Sequence, residues 1–234
     1  MTDPLPLRSV SDRALVRLIP ATYHKPPVLR GLVDDDEEAT LLAEVEAMTS
    51  ARHIAERGRD MGVNRLELAW ERRAADLRIY GLSHVNAAFT YRRAGGNRFN
   101  DDTRGAWYCS WSAMTSLAEV GYHYTRELTF MGIFNTKVRY VELLADFIGD
   151  FPDLTGQPDH PALHDDPARG YPRGQELANH LRAGGHRGLV YPSVRHPDGT
   201  CLVAFDPSAV QNVRPGAKWD ITWSGGPEYD VVGL

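Results

Sequence analysis

The sequence predicts one α+β domain, a mixed or antiparallel β core with flanking helices and an extra helical section near its N-terminus. Apolar, β-branched runs recur between turn residues, most clearly Arg187–Tyr191 and Thr200–Phe205 on either side of Pro192–Gly199. Two stretches, Asp34 to about Asp60 and Asn64 to Ile79, carry apolar residues at helical spacing. No repeat, low-complexity tract or linker divides the 234 residues, a length that one core can serve.

Taken in order, Ala14–Pro20 reads as a short strand with one charge, Arg17, embedded in it. The helix from Asp34 buries Leu41, Leu42, Val45, Met48 and Ile54. Its acidic start, Asp34–Glu38, suits the positive end of a helix dipole. Adjacent carboxylates there diverge, which argues against a metal site. The second helix has Leu66, Leu68, Trp70 and Leu77 for burial. Val85–Arg92 and Gly105–Trp111 read as strands around a Gly-rich loop, and Ser112 caps a helix from Ala113 to about Glu127. Lys137–Phe147 is a further strand. Phe151–Pro172, rich in Pro, Asp, His and Gly, reads as a long loop, a lid or a partner surface. Gly174–Ala183 is a short helix stopped by Gly184 and Gly185. Lys218–Trp223 and Tyr229–Val232 are expected at the sheet edges.

Composition narrows the function. Hydrophobic content of 42% and charged content of 24% suit a soluble globule. The net charge of −5 is matched by the run Asp34–Glu38 alone, so the rest is near neutral and direct nucleic-acid binding is not expected. Cys109 and Cys201 sit in apolar runs, as buried thiols of a reducing compartment do. No run is long enough to span a membrane and the start lacks a signal peptide's core, so a cytoplasmic location without membrane attachment is expected. His160, His164, Asp165 and Asp166 resemble metal ligands, but they lack closing partners, and no metal is expected.

The stretch Gly95–Val120, GGNRFNDDTRGAWYCSWSAMTSLAEV, carries the chemistry. Gly95 and Gly96 let the backbone approach a ligand, and Arg98 can fork onto phosphate oxygens. The same pattern also makes an ordinary hairpin. Tyr108 faces away from Trp107 and Cys109 on its strand, toward either core or cleft. Glu119 lies on the opposite side of its helix from Leu117 and Val120, aimed at cleft or solvent, with His123 one turn further on. A charge inside a strand, as at Arg17, calls for a carboxylate or an anionic ligand. Neither GxGxxG nor a P-loop occurs. A Cys–His hydrolase using Cys109 and His123 is disfavoured by the apolar setting of that cysteine.

The segments LVRLIP, GGNRFN, RGAWYCSWSAMTSLAEV and GLVYPSVRHPDGTCLVAFDP, in that order, resemble the RES-domain family over roughly residues 14–215, with about 34–80 as a helical insertion in a single domain spanning 1–234. The resemblance implies an ADP-ribosyltransferase-like fold and a toxin that consumes NAD as co-substrate. ADP-ribose would pass to a protein acceptor, or to water or phosphate so that NAD is depleted. It implies a cognate Xre-type antitoxin that blocks the cleft. It also implies roles: Arg17 and Arg98 on the diphosphate, Tyr108 bordering nicotinamide, Glu119 driving cleavage, and Ser193 orienting nicotinamide or ribose. Arg195 is a weaker phosphate candidate. Leu18 stands where many relatives have tyrosine, and Asn97 is extra relative to their GGRWN. A non-enzymatic nucleotide- or partner-binding module is the alternative from another class.

Overall fold

The spine of the fold is a pair of long antiparallel strands, β1 (Leu7–Pro20) and β3 (Asn135–Pro152), paired from Leu7 opposite Pro152 to Pro20 opposite Tyr140 with one register shift between Asp12 and Leu15. The structure, a computed structural model, describes residues 5–24, 50–58, 60, 62–68 and 80–234. On one side of the spine lie β2 (Trp107–Ser110), β5 (Thr200–Ala204) and β4 (Gly188–Pro192); on the other lie β6 (Gln211–Ser224) and β7 (Tyr229–Gly233). All seven form one antiparallel sheet in the order β4-β5-β2-β1-β3-β6-β7. With its helices this is the expected α+β class.

Strand alternation sorts the core onto two faces. Leu15, Trp107, Cys109, Leu143, Phe147 and Leu202 bury one face together with Val85 and Phe89. Val16 and Leu18 point the other way, toward Leu117, Leu128, Tyr140 and Trp223. Leu189, Tyr191, Cys201 and Val203 continue that second face under Phe99, Leu163, Ala178 and Leu181. Two helices therefore share the second face: α3 (Ala113–Met131) over β1 and β2, and α4 (Pro167–Ala183) over β4. The first face is covered by α2 (Leu82–Thr90).

Several expectations needed correction. Val85–Arg92 is not a strand: its core falls in α2, where Val85 and Phe89, one turn apart, both enter the core. A short apolar run does not itself distinguish helix from strand, and Ala87 and Ala88 favour helix. Phe151–Pro172 is not one long loop. It begins as the end of β3, makes a 3-10 turn at Pro161–Leu163 and enters α4 at Pro167. His160 Nδ1 accepts from Ala162 N at 3.1 Å, and Asp166 caps α4 by accepting from Ala168 N at 2.9 Å. Residues that read as a loop, or as a metal cluster, are helix caps ahead of Pro at a first-turn position. Pro172 sits in the second turn of α4, where it forfeits one backbone bond without ending the helix. Of the two N-terminal helices expected, the described residues show α1 (Ala51–Glu56) within the first span and a 3-10 turn, Arg65–Leu68, within the second. The rest of both, with the run Asp34–Glu38, lies outside the described residues. β6 runs longer than expected and is internal; of the two C-terminal strands only β7 is an edge. No helix among the described residues is long and apolar enough to cross a membrane.

Asp146 on β3 ties together its two neighbours in the sheet, β1 and β6. Its oxygens accept from Ala14 N at 3.0 Å, Asn212 Nδ2 at 2.8 Å and Arg214 Nη1 at 2.8 Å. Ala14 (φ 63°) and Asn212 (φ 51°) both occupy left-handed backbone, so the carboxylate holds two irregularities in place. Burial pushes the Asp146 carboxyl up, but hydrogen bonds from Asn212, Ala14 and Arg214, with the charge of Arg214, outweigh it and hold it at about 2. An unfolded aspartate titrates near about 3.9. The stabilisation is thus full above roughly pH 4 and is lost as pH falls toward 2. Urea midpoints are expected to show wild type ahead of Asp146→Asn at pH 7, with the gap narrowing between pH 4 and 2. A gap independent of pH would remove the charge from the explanation.

Candidate active site

The start of α3 is fixed by hydroxyl groups. Ser112 caps it by accepting from Thr115 N at 3.1 Å. Ser116 donates to Val16 O at 2.7 Å and lies 2.6 Å from Ser110 Oγ, joining the helix to β1 and β2. With Leu117 buried against the sheet, Glu119, Tyr122, His123 and Arg126 follow at the spacing of one helix face. All four are partly buried.

The β4–β5 connection closes on that face. Ser193 Oγ donates to Glu119 Oε1 at 2.7 Å across 74 residues of sequence. The same oxygen accepts from Arg195 N at 3.2 Å and His196 N at 3.0 Å, so its proton is directed at the carboxylate. A second tie, 3.0 Å, joins Thr115 Oγ1 to His196 Nδ1. Gly199 allows this approach, since a Cβ there would lie 2.8 Å from the Thr115 side chain. The structure therefore brings together Glu119 and Ser193.

Arg98 reaches the same cleft from the loop after α2. Gly95 (φ 75°) and Gly96 (φ 70°) make its turn, and a Cβ on Gly96 would lie 2.2 Å from Asn100 O. The glycines close a hairpin, with Asn97 N donating to Asn100 O at 2.8 Å. Arg98 Nη1 donates to Ala162 O at 2.7 Å and His164 O at 2.9 Å, holding the segment before α4. Its Nε and Nη2 have no hydrogen-bond partner among the described residues and are not sealed from solvent. The guanidinium stands 5.4 Å from the ring centroid of Tyr171 on α4.

Tyr108 supports this loop from β2. Its hydroxyl accepts from Phe99 N at 3.0 Å and donates to Asn100 Oδ1 at 2.8 Å. Burial raises its pKa, so the phenol stays a proton donor. Arg17 is placed apart from Glu119. It alternates with Val16 and Leu18, and its guanidinium lies 4.9 Å from the ring centroid of Trp107, on the face of the sheet away from α3. Nη1 donates to Tyr108 O at 3.3 Å. The counter-ion expected from sequence is not found among the described residues, and burial lowers the Arg17 pKa to about 10. Cys109 shares that face, and burial raises its thiol pKa. With His123 across the sheet, the pair forms no Cys–His dyad.

Guanidinium groups crowd the surroundings of Glu119. His123 is held near pKa about 4, first by burial and then by Arg93, Arg126, Arg195 and Arg98. Tyr171 is raised by burial despite Arg98, Arg126 and Arg195, and Glu119 acts on it too. Arg93 is matched by Glu127 at 2.9 Å. Arg98, Arg126 and Arg195 have no carboxylate partner among the described residues. Helical spacing from Glu119 was the available signal for Tyr122 and Arg126; nothing in the sequence pointed to Tyr171. No group of three or more His, Cys, Asp or Glu able to hold a metal occurs among the described residues.

The family described as the RES domain matches residues 70–224, a span that contains Arg98, Tyr108, Glu119 and Ser193 but not Arg17. A chain in the crystal structure of the M. tuberculosis MbcT–MbcA toxin–antitoxin complex is similar at 17% identity and a TM-score of 0.40, over 54% of this chain and 72% of that one. No curated protein matches the sequence.

Proposed function

Because the chain belongs to the RES-domain family, we propose that it is the toxin of a toxin–antitoxin pair, an enzyme that cleaves the nicotinamide–ribose bond of NAD. The observation that carries this reading is the Ser193–Glu119 hydrogen bond in a cleft lined by unmatched guanidinium groups. As the bond between ribose C1′ and the pyridine nitrogen breaks, its electron pair leaves with nicotinamide. Positive charge then develops on C1′ and the ring oxygen, as in glycoside cleavage. The Glu119 carboxylate, held by Ser193, supplies the opposing charge or binds the 2′-hydroxyl. Nicotinamide leaves neutral and needs no general acid. Arg98 offers its free edge to the diphosphate, and Tyr108 keeps its loop in place. Arg17 acts through the backbone of β2 as a positioning residue. The overall architecture is read as ADP-ribosyltransferase-like.

A nucleophile then bonds to C1′ and gives up its proton. The acceptor expected from sequence is a protein side chain, which would make the enzyme a mono-ADP-ribosyltransferase. One observation favours the smaller acceptors, phosphate or water: Arg98 and Arg195 pin the 162–165 segment at the cleft, so it is not a long open loop. The natural inhibitor is an Xre-type antitoxin that fills the cleft. The reading is tested by incubating the protein with NAD, with or without phosphate and lysate proteins, and resolving products by chromatography and mass spectrometry. Nicotinamide release supports it. Modified protein, ADP-ribose 1″-phosphate or free ADP-ribose identifies the acceptor. NAD binding without turnover would leave the non-enzymatic module.

Ser193→Ala is expected to lower kcat by about 10- to 100-fold, the loss of a charge-assisted hydrogen bond. Thermal stability should change little, because the Thr115–His196 tie remains. Steady-state kinetics and thermal denaturation check both. Unchanged kcat would show that Glu119 is positioned without Ser193.

A further inference from the structure

We infer that Arg126 and Arg195, flanking the ring of Tyr122, form a diphosphate subsite that fixes the direction in which the substrate lies along α3; the inference rests on the reading of Glu119 as the site of bond cleavage.

The Arg195 guanidinium lies 3.5 Å from the Tyr122 ring centroid, and Arg126 lies 5.9 Å from the same centroid. Arg195 Nη2 donates to Asp165 O at 2.5 Å, so one end is fastened while the group keeps further donors. Arg126 has no hydrogen bond or ion pair to any described residue. Two like charges against one aromatic ring, with Arg98 nearby and none of the three paired to a carboxylate among the described residues, repel one another until an anion enters. Guanidinium forks suit phosphate oxygens, and stacking on Tyr122 presents Arg195 with its plane fixed. The buried Nδ1 of His123, which has no partner, is a further sign of a polar site not complete in the protein alone.

Spacing gives the direction. Glu119 and Arg126 lie on one face of α3, separated by about 10 Å of helix rise. A ribosyl carbon at Glu119 would place the phosphates toward Arg126 and the C-terminal end of the helix. The subsite then selects for the diphosphate: nicotinamide riboside, which lacks phosphate, would gain nothing from it.

The test uses the full chain and two readouts. Calorimetric titration with inorganic pyrophosphate is expected to show binding that weakens at least about 10-fold in Arg126→Gln and in Arg195→Gln, and less in Arg126→Lys, which keeps the charge. In turnover, both Gln variants should raise KM for NAD by about 10-fold or more and affect nicotinamide riboside cleavage far less. If one Gln variant does not fold by thermal denaturation, the other gives the same discrimination. No pyrophosphate binding by wild type, or equal binding by all variants, overturns the subsite. So does an equal loss on NAD and riboside. Pyrophosphate binding that fails in the Gln variants, in a wild type that cleaves no NAD, upholds the anion subsite and removes only the NAD reading.

Discussion

Glu119→Gln is expected to bind NAD like wild type and to release nicotinamide about 10²- to 10³-fold more slowly. The substitution keeps size and shape, and the amide oxygen can still accept the Ser193 proton that now goes to Glu119 Oε1 at 2.7 Å. The β4–β5 connection therefore stays in place and the main change is one negative charge. If that charge acts on the cation developing at ribose, it contributes in the transition state and barely in the ground state. The loss then falls on kcat, with KM near wild type, an effect of about 3–4 kcal/mol. A rise in KM at unchanged kcat would make Glu119 a binding residue instead.

Gly174→Ala should have the largest structural effect. Gly174 faces the backbone of Arg98, and a Cβ there would lie 2.1 Å from Arg98 O. Gly170, one turn earlier, faces His164 O at 2.6 Å and Arg98 Nη1 at 2.8 Å from the equivalent Cβ position. These two glycines let α4 sit directly on the Arg98 loop. A methyl group at 174 meets backbone that no rotamer change can move, so helix and loop must separate. The expected destabilisation is about 1–3 kcal/mol or more, and a melting temperature lower by about 2–4 °C for each kcal/mol. Because Arg98 moves with its loop, KM for NAD should rise as well. Gly184→Ala is the control: it ends the same helix at φ −76°, with its nearest Cβ neighbour at 3.4 Å, and should leave melting temperature and KM near wild type. Equal stability of both variants would show that α4 does not bear on the loop.

How much of this was legible in the sequence differs by element. The Ser112 cap, the strand carrying Tyr108 and the paired strands β4 and β5 followed from local pattern, because neighbouring residues decide them. α2 was misread since Val85 and Phe89 fit either period over so short a run, and the core beneath them decides for helix. The beginning of α4 was misread because capping residues, Pro167 and Pro172 look like loop when the packing of Gly170 and Gly174 is unseen. Glu119 stood out by its place on the helix after Tyr108, but its partnership with Ser193 did not: their hydrogen bond spans 74 residues and no periodicity anticipates it. Arg17 shows the limit of strand reasoning. Its alternation with Val16 and Leu18 was plain in the sequence, but which face would carry α3 was not.

The cleft of Glu119, Ser193 and the three unmatched guanidinium groups is proposed to break the nicotinamide–ribose bond of NAD. Proton NMR of NAD mixed with the wild-type protein tests this directly, since each cleavage leaves a different pyridine product. Free nicotinamide is expected to appear as NAD disappears, with Glu119→Gln nearly silent over the same time. Nicotinamide mononucleotide with AMP, which reports cleavage at the diphosphate, or NAD left intact, would contradict it.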